Sequence, residues 1–236
     1  MVRDVPNPGV RPNKPLSAAT TIAVVIAAMT AFVLGLVVWK AIEARNAALG
    51  RAERDIRNLA HSLSEHASTS IQAADIAMSG IVDLLRYQRP RPERLNQYLR
   101  NIVKTLPQIR EMGMLDASGT WIYSSLDELP VHNNADRDYF IYHRDSTDPG
   151  LRISDPLLSR VTGRRTILLT RRISNQDGSF GGVLFAAIDT GFFDHFYKAF
   201  NLGPHAGITL LRNDGVLLAG LGLAADKRHL ELQGGD

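Results

Sequence analysis

Apolar and charged positions alternate along the chain in blocks whose period changes twice. Between Lys14 and Lys40 lie twenty-five uncharged residues, among them Ile22, Val24, Val25, Ile26, Phe32, Val33, Leu34, Leu36, Val37 and Val38. About twenty apolar residues cross a bilayer as a helix. Residues 15–39 are therefore expected to form a transmembrane span, with Trp39 and Lys40 placed as an interfacial anchor. A cleaved signal peptide would carry a shorter apolar core of roughly 7–15 residues, so an uncleaved anchor is favoured. The polar, proline-bearing residues 1–14 precede it as a tail. Basic residues flank both ends of the span and do not orient it.

From Ala41 to Tyr87 there is no proline, and Ile56, Leu59, Leu63, Ala67, Ile71, Ala74, Met78, Ile81 and Leu85 recur in steps of three and four. These positions make one helical stripe. At about 1.5 Å per residue a continuous helix here runs roughly 70 Å. One portion of such a helix can cover the domain's own sheet while another pairs with a second copy. Pro90 and Pro92 break the pattern. Pro92-Glu93 opens a second short helix through Leu95, Tyr98, Leu99, Ile102 and Val103, and Pro107 ends it.

Past Pro107 the period drops to two. Ile109 to Asp116 and Thr120 to Ser124 read as a hairpin around Ala117-Ser118-Gly119. Arg165 to Ile173 and Gly182 to Asp189 read as a second, turned by Asp177-Gly178. In its last strand Val183, Phe185, Ala187 and Asp189 share one face while Leu184, Ala186 and Ile188 share the other, so both faces are covered. Residues 126–150 are irregular and polar apart from a helical turn over 138–144, and a loop of that length inside a compact domain is usually functional or mobile. Phe192 to Phe200 is amphipathic and helical, and a third hairpin follows around Asn213-Asp214-Gly215.

One ordered set of residues carries a family resemblance: Arg137 with Tyr139 and Phe140, then Ile153-Ser154-Asp155-Pro156, Thr162-Gly163, a strand, Asp177-Gly178, and Gly181-Gly182-Val183 running to Ile188-Asp189. The set resembles the Cache family of extracytoplasmic, PAS-like sensor domains, and most resembles the membrane-distal half of double Cache modules of bacterial diguanylate cyclases and histidine kinases. The resemblance implies an α+β fold in which a transmembrane helix and a long α-helix lead into a PAS-like antiparallel sheet of about five strands. It divides the chain into a cytoplasmic tail (1–14), the span (15–39), a long and a short helix (40–107), the sensor (108–200) and the opening of a second Cache half (201–236), as in a fragment or a truncated receptor. It also implies a single-pass protein of the bacterial inner membrane with its sensor in the periplasm.

Composition narrows the function. With 44% hydrophobic and 22% charged residues the chain is neither disordered nor polytopic, and a net charge of +3 spread along it gives no reason to expect nucleic acid. The absence of cysteine removes disulfides, thiolate metal sites and cysteine nucleophiles. No nucleophile elbow, Walker sequence or zincin spacing is present, so neither catalysis nor a cofactor or metal is expected. Gly220-Leu221-Gly222 fits a dinucleotide pattern, but the sequence that follows has no room for the rest of that unit.

In the amino-acid-sensing members of the family an Arg with nearby aromatics grips the ligand carboxylate, and a Tyr and an Asp hold its amine. The resemblance places the Arg on Arg137 and the aromatics on Tyr139 and Phe140. The amine-side positions fall on Leu157 and Ser159, which lack a counter-charge, so a small carboxylate is expected rather than an α-amino acid. The candidate set is Arg137, Tyr139, Phe140, Tyr142, Ser159 and Asp189. Against it stand plainer roles. Arg137 can pair with Asp136, Asp138 or Asp189, the aromatics and His143 can be core, Asp189 can cap the next helix, and Arg160, Arg164 and Arg165 can form a solvated turn. If large side chains such as Leu157 and Phe140 close the site, the chain becomes a membrane-tethered interaction module instead of a ligand sensor.

Overall fold

The alternating residues after Pro107 fold as a six-stranded antiparallel sheet in the computed structural model, which describes residues 18–88, 90–200 and 206–221. In chain order the elements are α1 (Ala18–Tyr87), α2 (Pro92–Thr105), β1 (Ile109–Asp116), β2 (Trp121–Ser124), α3 (Asp138–Asp145), β3 (Arg152–Ile153), β4 (Leu157–Leu158), β5 (Arg165–Ser174), β6 (Phe180–Asp189), α4 (Thr190–Tyr197), β7 (Ile208–Leu211) and β8 (Leu217–Leu221). The sheet runs β2-β1-β6-β5-β3 with β4 also on β5, and β7 and β8 form a separate pair. The short strands β3 and β4, too brief to show a period, add to the strands expected from alternation. The 1–14 tail and the part of 201–236 beyond residue 221 lie outside the described residues.

Two compact units meet between Ala60 and His61. In the first, α1 is the one described helix long and apolar enough to cross a membrane; its best 18-residue window has mean hydropathy 2.7 and is wholly exposed. In the second unit the helical stripe of α1 is buried at Leu63, Ala67, Ala74, Met78 and Ile81. Polar contacts tie this part of α1 to the sheet: Asp75 accepts from Arg171 Nε at 2.7 Å, and the Ser70 carbonyl accepts from Gln108 at 3.0 Å. Arg171 shares its face of β5 with Ile167 and Leu169, so α1 covers that face, and each fully buried aliphatic side chain contributes about 1.5–3 kcal/mol.

The other face holds Leu115, Trp121, Leu168, Val183, Phe185 and Ala187 beneath Tyr139 and Phe140 of α3. A bulge in β1 sets which residues reach it. Ile109 pairs with Ile188, yet Glu111 pairs with Ala187, so two steps along β1 answer one step along β6. The extra residue reverses the parity of the strand, sending Ile109 to the α1 side and Glu111 to the α3 side. At Gly182 (φ +138°) a Cβ would lie 2.0 Å from the Leu115 carbonyl oxygen, so only glycine lets β6 approach β1 there.

His143 of α3 is fully buried, with Nε2 and Thr170 Oγ1 2.9 Å apart. Burial, and then the charge of Arg152, pushes its imidazole down to about 4.

Gly182→Ala is expected to destabilise the domain by at least about 1–3 kcal/mol, read by chemical denaturation. A second expectation concerns acid. The unfolded imidazole titrates near 6.5, so between about pH 6.5 and pH 4 the unfolded chain binds the extra proton and stability falls with pH. Melting temperatures of wild type and His143→Gln should therefore converge as pH drops through that window, and a constant difference would contradict it.

Candidate functional site

Between the α3-side face of the sheet and the loops around it lies a cavity of about 30 Å³, room for roughly two water molecules. Each strand and loop places one part of it. Glu111 reaches it through the β1 bulge, Trp121 comes from β2, Arg137 and Tyr139 from the start of α3, and Leu157 and Ser159 from the segment leading into β5. Gly113 keeps the floor open, because a Cβ there would lie 2.5 Å from the Trp121 ring and 2.8 Å from that of Phe185.

Arg137 caps α3 in extended backbone geometry, with Asp138 as the acid of the first turn. Its guanidinium donates to the Leu158 carbonyl at 3.0 Å. Arg160 closes the loops by a fork on Asp136, with contacts of 2.8 and 2.5 Å, and also donates to the Asn133 carbonyl at 2.6 Å. The hydrogen bond from Arg160 holds the Asp136 carboxyl down to about 2. This arginine was expected in a solvated turn, but the carboxylate of the preceding loop takes its planar fork bidentately. Ser159 Oγ accepts from the Val161 and Thr162 amides at 3.2 and 3.1 Å, which fixes the turn. Burial pushes the Tyr139 phenol upward.

The structure gathers Arg137, Tyr139 and Ser159 around the cavity and leaves the other three candidates off its lining. Phe140 belongs to the core, edge-on to Phe180 with ring centroids 5.3 Å apart. Tyr142 lies under the Arg152 guanidinium, 3.8 Å from its ring centre. Asp189 sits at the end of β6, accepting from Arg110 at 3.0 Å and from the Gly191 amide at 2.9 Å, so it caps the start of α4. Burial raises its carboxyl, but the Gly191 amide and Arg110 outweigh that and leave it below its ordinary range.

Sequence reasoning missed Glu111 and Trp121. Leu157 and Ser159 carry no charge, as the sequence shows, but an acid reaches the lining from β1, since Glu111 is 4% exposed and lines the cavity. Its Oε2 and the Trp121 Nε1 are both buried without a hydrogen-bond partner among the described residues. The one available signal is the Glu that stands between Arg110 and the apolar run Met112 to Leu115 of β1, and strict alternation could not place it because the bulge breaks the parity.

Residues 44–233 match the model of a family described as the Cache domain. The extracellular domain of rpHK1S-Z16, a candidate histidine kinase, is 41% identical, with 73% of this chain and 72% of that one covered and a TM-score of 0.69. The ligand-binding domain of the Pseudomonas aeruginosa PAO1 amino acid chemoreceptor PctC, in complex with GABA, is 14% identical over 71% of this chain and 74% of its own, with a TM-score of 0.54. That of the Campylobacter jejuni chemoreceptor Tlp3, in complex with L-valine, is 14% identical over 76% and 71%, with a TM-score of 0.51. The likeness to these two is one of fold. No curated protein sequence matches the chain. A family match from within α1 to beyond β8, joined to a relative 41% identical over nearly three quarters of both chains, shows that this chain belongs to the Cache domain family.

Proposed function

We propose that this chain is the extracytoplasmic sensor module of a bacterial signal-transduction receptor, which takes a small carboxylate-bearing molecule in the cavity and signals through its helices. The observation that carries the proposal is a guanidinium, Arg137, brought to a buried hollow at the start of α3. Its hydrogen bond to Leu158 uses one of five N–H donors, and a planar fork suits a carboxylate. The module works without catalysis, anchored in the inner membrane by the apolar part of α1, with the sheet in the periplasm. A receptor built on a diguanylate cyclase or a histidine kinase fits this arrangement.

A ligand between the sheet and the 126–160 loops favours the state in which those loops are closed, and the shift in population is the signal. The Arg160–Asp136 fork is the contact that this closure strengthens. A second possibility, a membrane-tethered interaction module without a ligand, draws on the small volume of the cavity, which Trp121, Tyr139 and Leu157 nearly fill.

The helices signal as a homodimer. In the first unit Ile42, Leu49 and Ile56 are 54%, 57% and 67% exposed at seven-residue intervals, the spacing of a seam between two helices.

Two measurements test these points. Full-length protein in detergent, screened against small carboxylates such as acetate, glycolate and succinate, should gain melting temperature with one of them. Saturation at about a hundred times Kd corresponds to about 2.7 kcal/mol. Arg137→Ala should lose the gain; no gain with any probe, or an equal gain in the variant, favours the interaction module. Because the chain has no cysteine, Leu49→Cys should form a disulfide-linked dimer under oxidation while Arg51→Cys should not. Equal yields at both positions would refute pairing along this seam.

A further inference from the structure

A groove of about 570 Å³ opens where the end of α2, the start of β1 and the first turns of α4 come together. Its volume falls in the range of small-molecule sites, roughly 300–1,000 Å³. The cavity around Arg137 is about 30 Å³, and the two share no lining residue. The sensor mechanism proposed above makes no use of this groove.

One part of the lining is apolar. Val103 of α2, Pro107 just after it and the buried Ile109 of β1 contribute aliphatic surface, and Phe192 of α4 contributes a ring. That ring is held in place, since Phe193 stands edge-on to it with centroids 5.4 Å apart and His66 of α1 stacks on it at 6.0 Å. Phe192 is only half-buried, so an apolar body laid against it removes further surface from water.

The rest of the lining is charged and out of balance. Arg110 and Arg164 both reach Oδ2 of Asp189, at 3.0 and 3.5 Å, while Oδ1 accepts the Gly191 amide at 2.9 Å. Among the described residues Asp189 is the one acid of the lining, so two guanidiniums share a carboxylate whose oxygens are both taken. Each arginine has five N–H donors and spends one of them there. Their side chains are 55% and 65% exposed, so the pairing with Asp189 is screened by water and readily exchanged. His195, also on the lining, adds another N–H. An anion gains from this excess of positive charge, whereas a cation meets a carboxylate that is already occupied.

We propose that this groove is a second ligand site, separate from the cavity around Arg137, and that it takes an apolar carboxylate. The carboxylate lies on Arg110 and Arg164, and its aromatic or branched body lies on Phe192, Ile109 and Val103. A planar guanidinium matches a carboxylate through two parallel hydrogen bonds, and the apolar wall selects against small, fully hydrated anions. The site stands independently of what the inner cavity binds.

Calorimetric titration of the full chain in phosphatidylcholine nanodiscs, with empty nanodiscs as the blank, tests it. Benzoate is the probe and benzamide its uncharged match. Benzoate should bind at least about tenfold more tightly than benzamide. Arg164→Ala, which gives up only the 3.5 Å contact with Asp189, should lower benzoate affinity at least about tenfold, and Arg137→Ala should leave it within about twofold. In the Arg137→Ala chain, acetate should bind at least about tenfold more weakly than benzoate. The comparison of benzoate with benzamide on the wild-type chain needs no variant to fold. Absence of benzoate binding, equal binding of benzamide, or full affinity in Arg164→Ala would overturn the site. Loss of benzoate in Arg137→Ala would overturn it too, by moving the carboxylate to the inner cavity. Acetate binding as tight as benzoate would overturn the apolar ligand class.

Discussion

The pairing of β1 with β6 is the constraint on which the rest of the domain depends. It is the centre of the sheet, and its register decides which side chains meet α1 and which meet α3. Two features set that register. Gly182 brings the β6 backbone to the Leu115 carbonyl at a distance no side chain allows, and the bulge after Ile109 shifts the strand by one residue. With a regular β1, Ile109 would share the α3-side face with Glu111, Gly113 and Leu115 and leave the α1 packing.

The second face is held by fewer and more polar contacts. α3 rests on the sheet through Tyr139, Phe140 and the buried His143, while the loops on either side are joined by Arg160 across Asp136 and the Asn133 carbonyl. Apolar burial makes the α1 face difficult to open, whereas a clasp of exposed charges is screened by water and contributes little by itself. The α1 side is thus the firmer of the two and the α3 side the more readily opened.

The lining of the cavity includes both a guanidinium and a carboxyl group. Arg137 stands at the start of α3, and Glu111 and Trp121 lie on the floor with buried atoms that the described protein leaves unpaired. Asp189 takes Arg110 and Arg164, and Asp136 takes Arg160, which leaves Arg137 as a lining guanidinium without a carboxylate partner among the described residues. The chain shares its fold with chemoreceptor domains whose complexes hold L-valine and GABA, yet its own lining differs where the family pattern would put an acid.

The sequence by itself determined the elements that depend on local pattern. The helical stripe of α1, the proline breaks around α2, the Asp177-Gly178 turn and the two-faced alternation of β6 follow from periods and turn chemistry that neighbouring residues impose on each other. The ordered residues from Arg137 to Asp189 were enough to find the family and to bring Arg137, Tyr139 and Ser159 to one place. Tertiary structure alone decided which residues line the hollow. Phe140, next to Tyr139, turns with the helix into the core, Tyr142 is held under Arg152, and Asp189 is drawn to Arg110, seventy-nine positions away. Glu111 was invisible because a bulge exists only between two paired strands, and its effect on side-chain direction cannot be read from one strand.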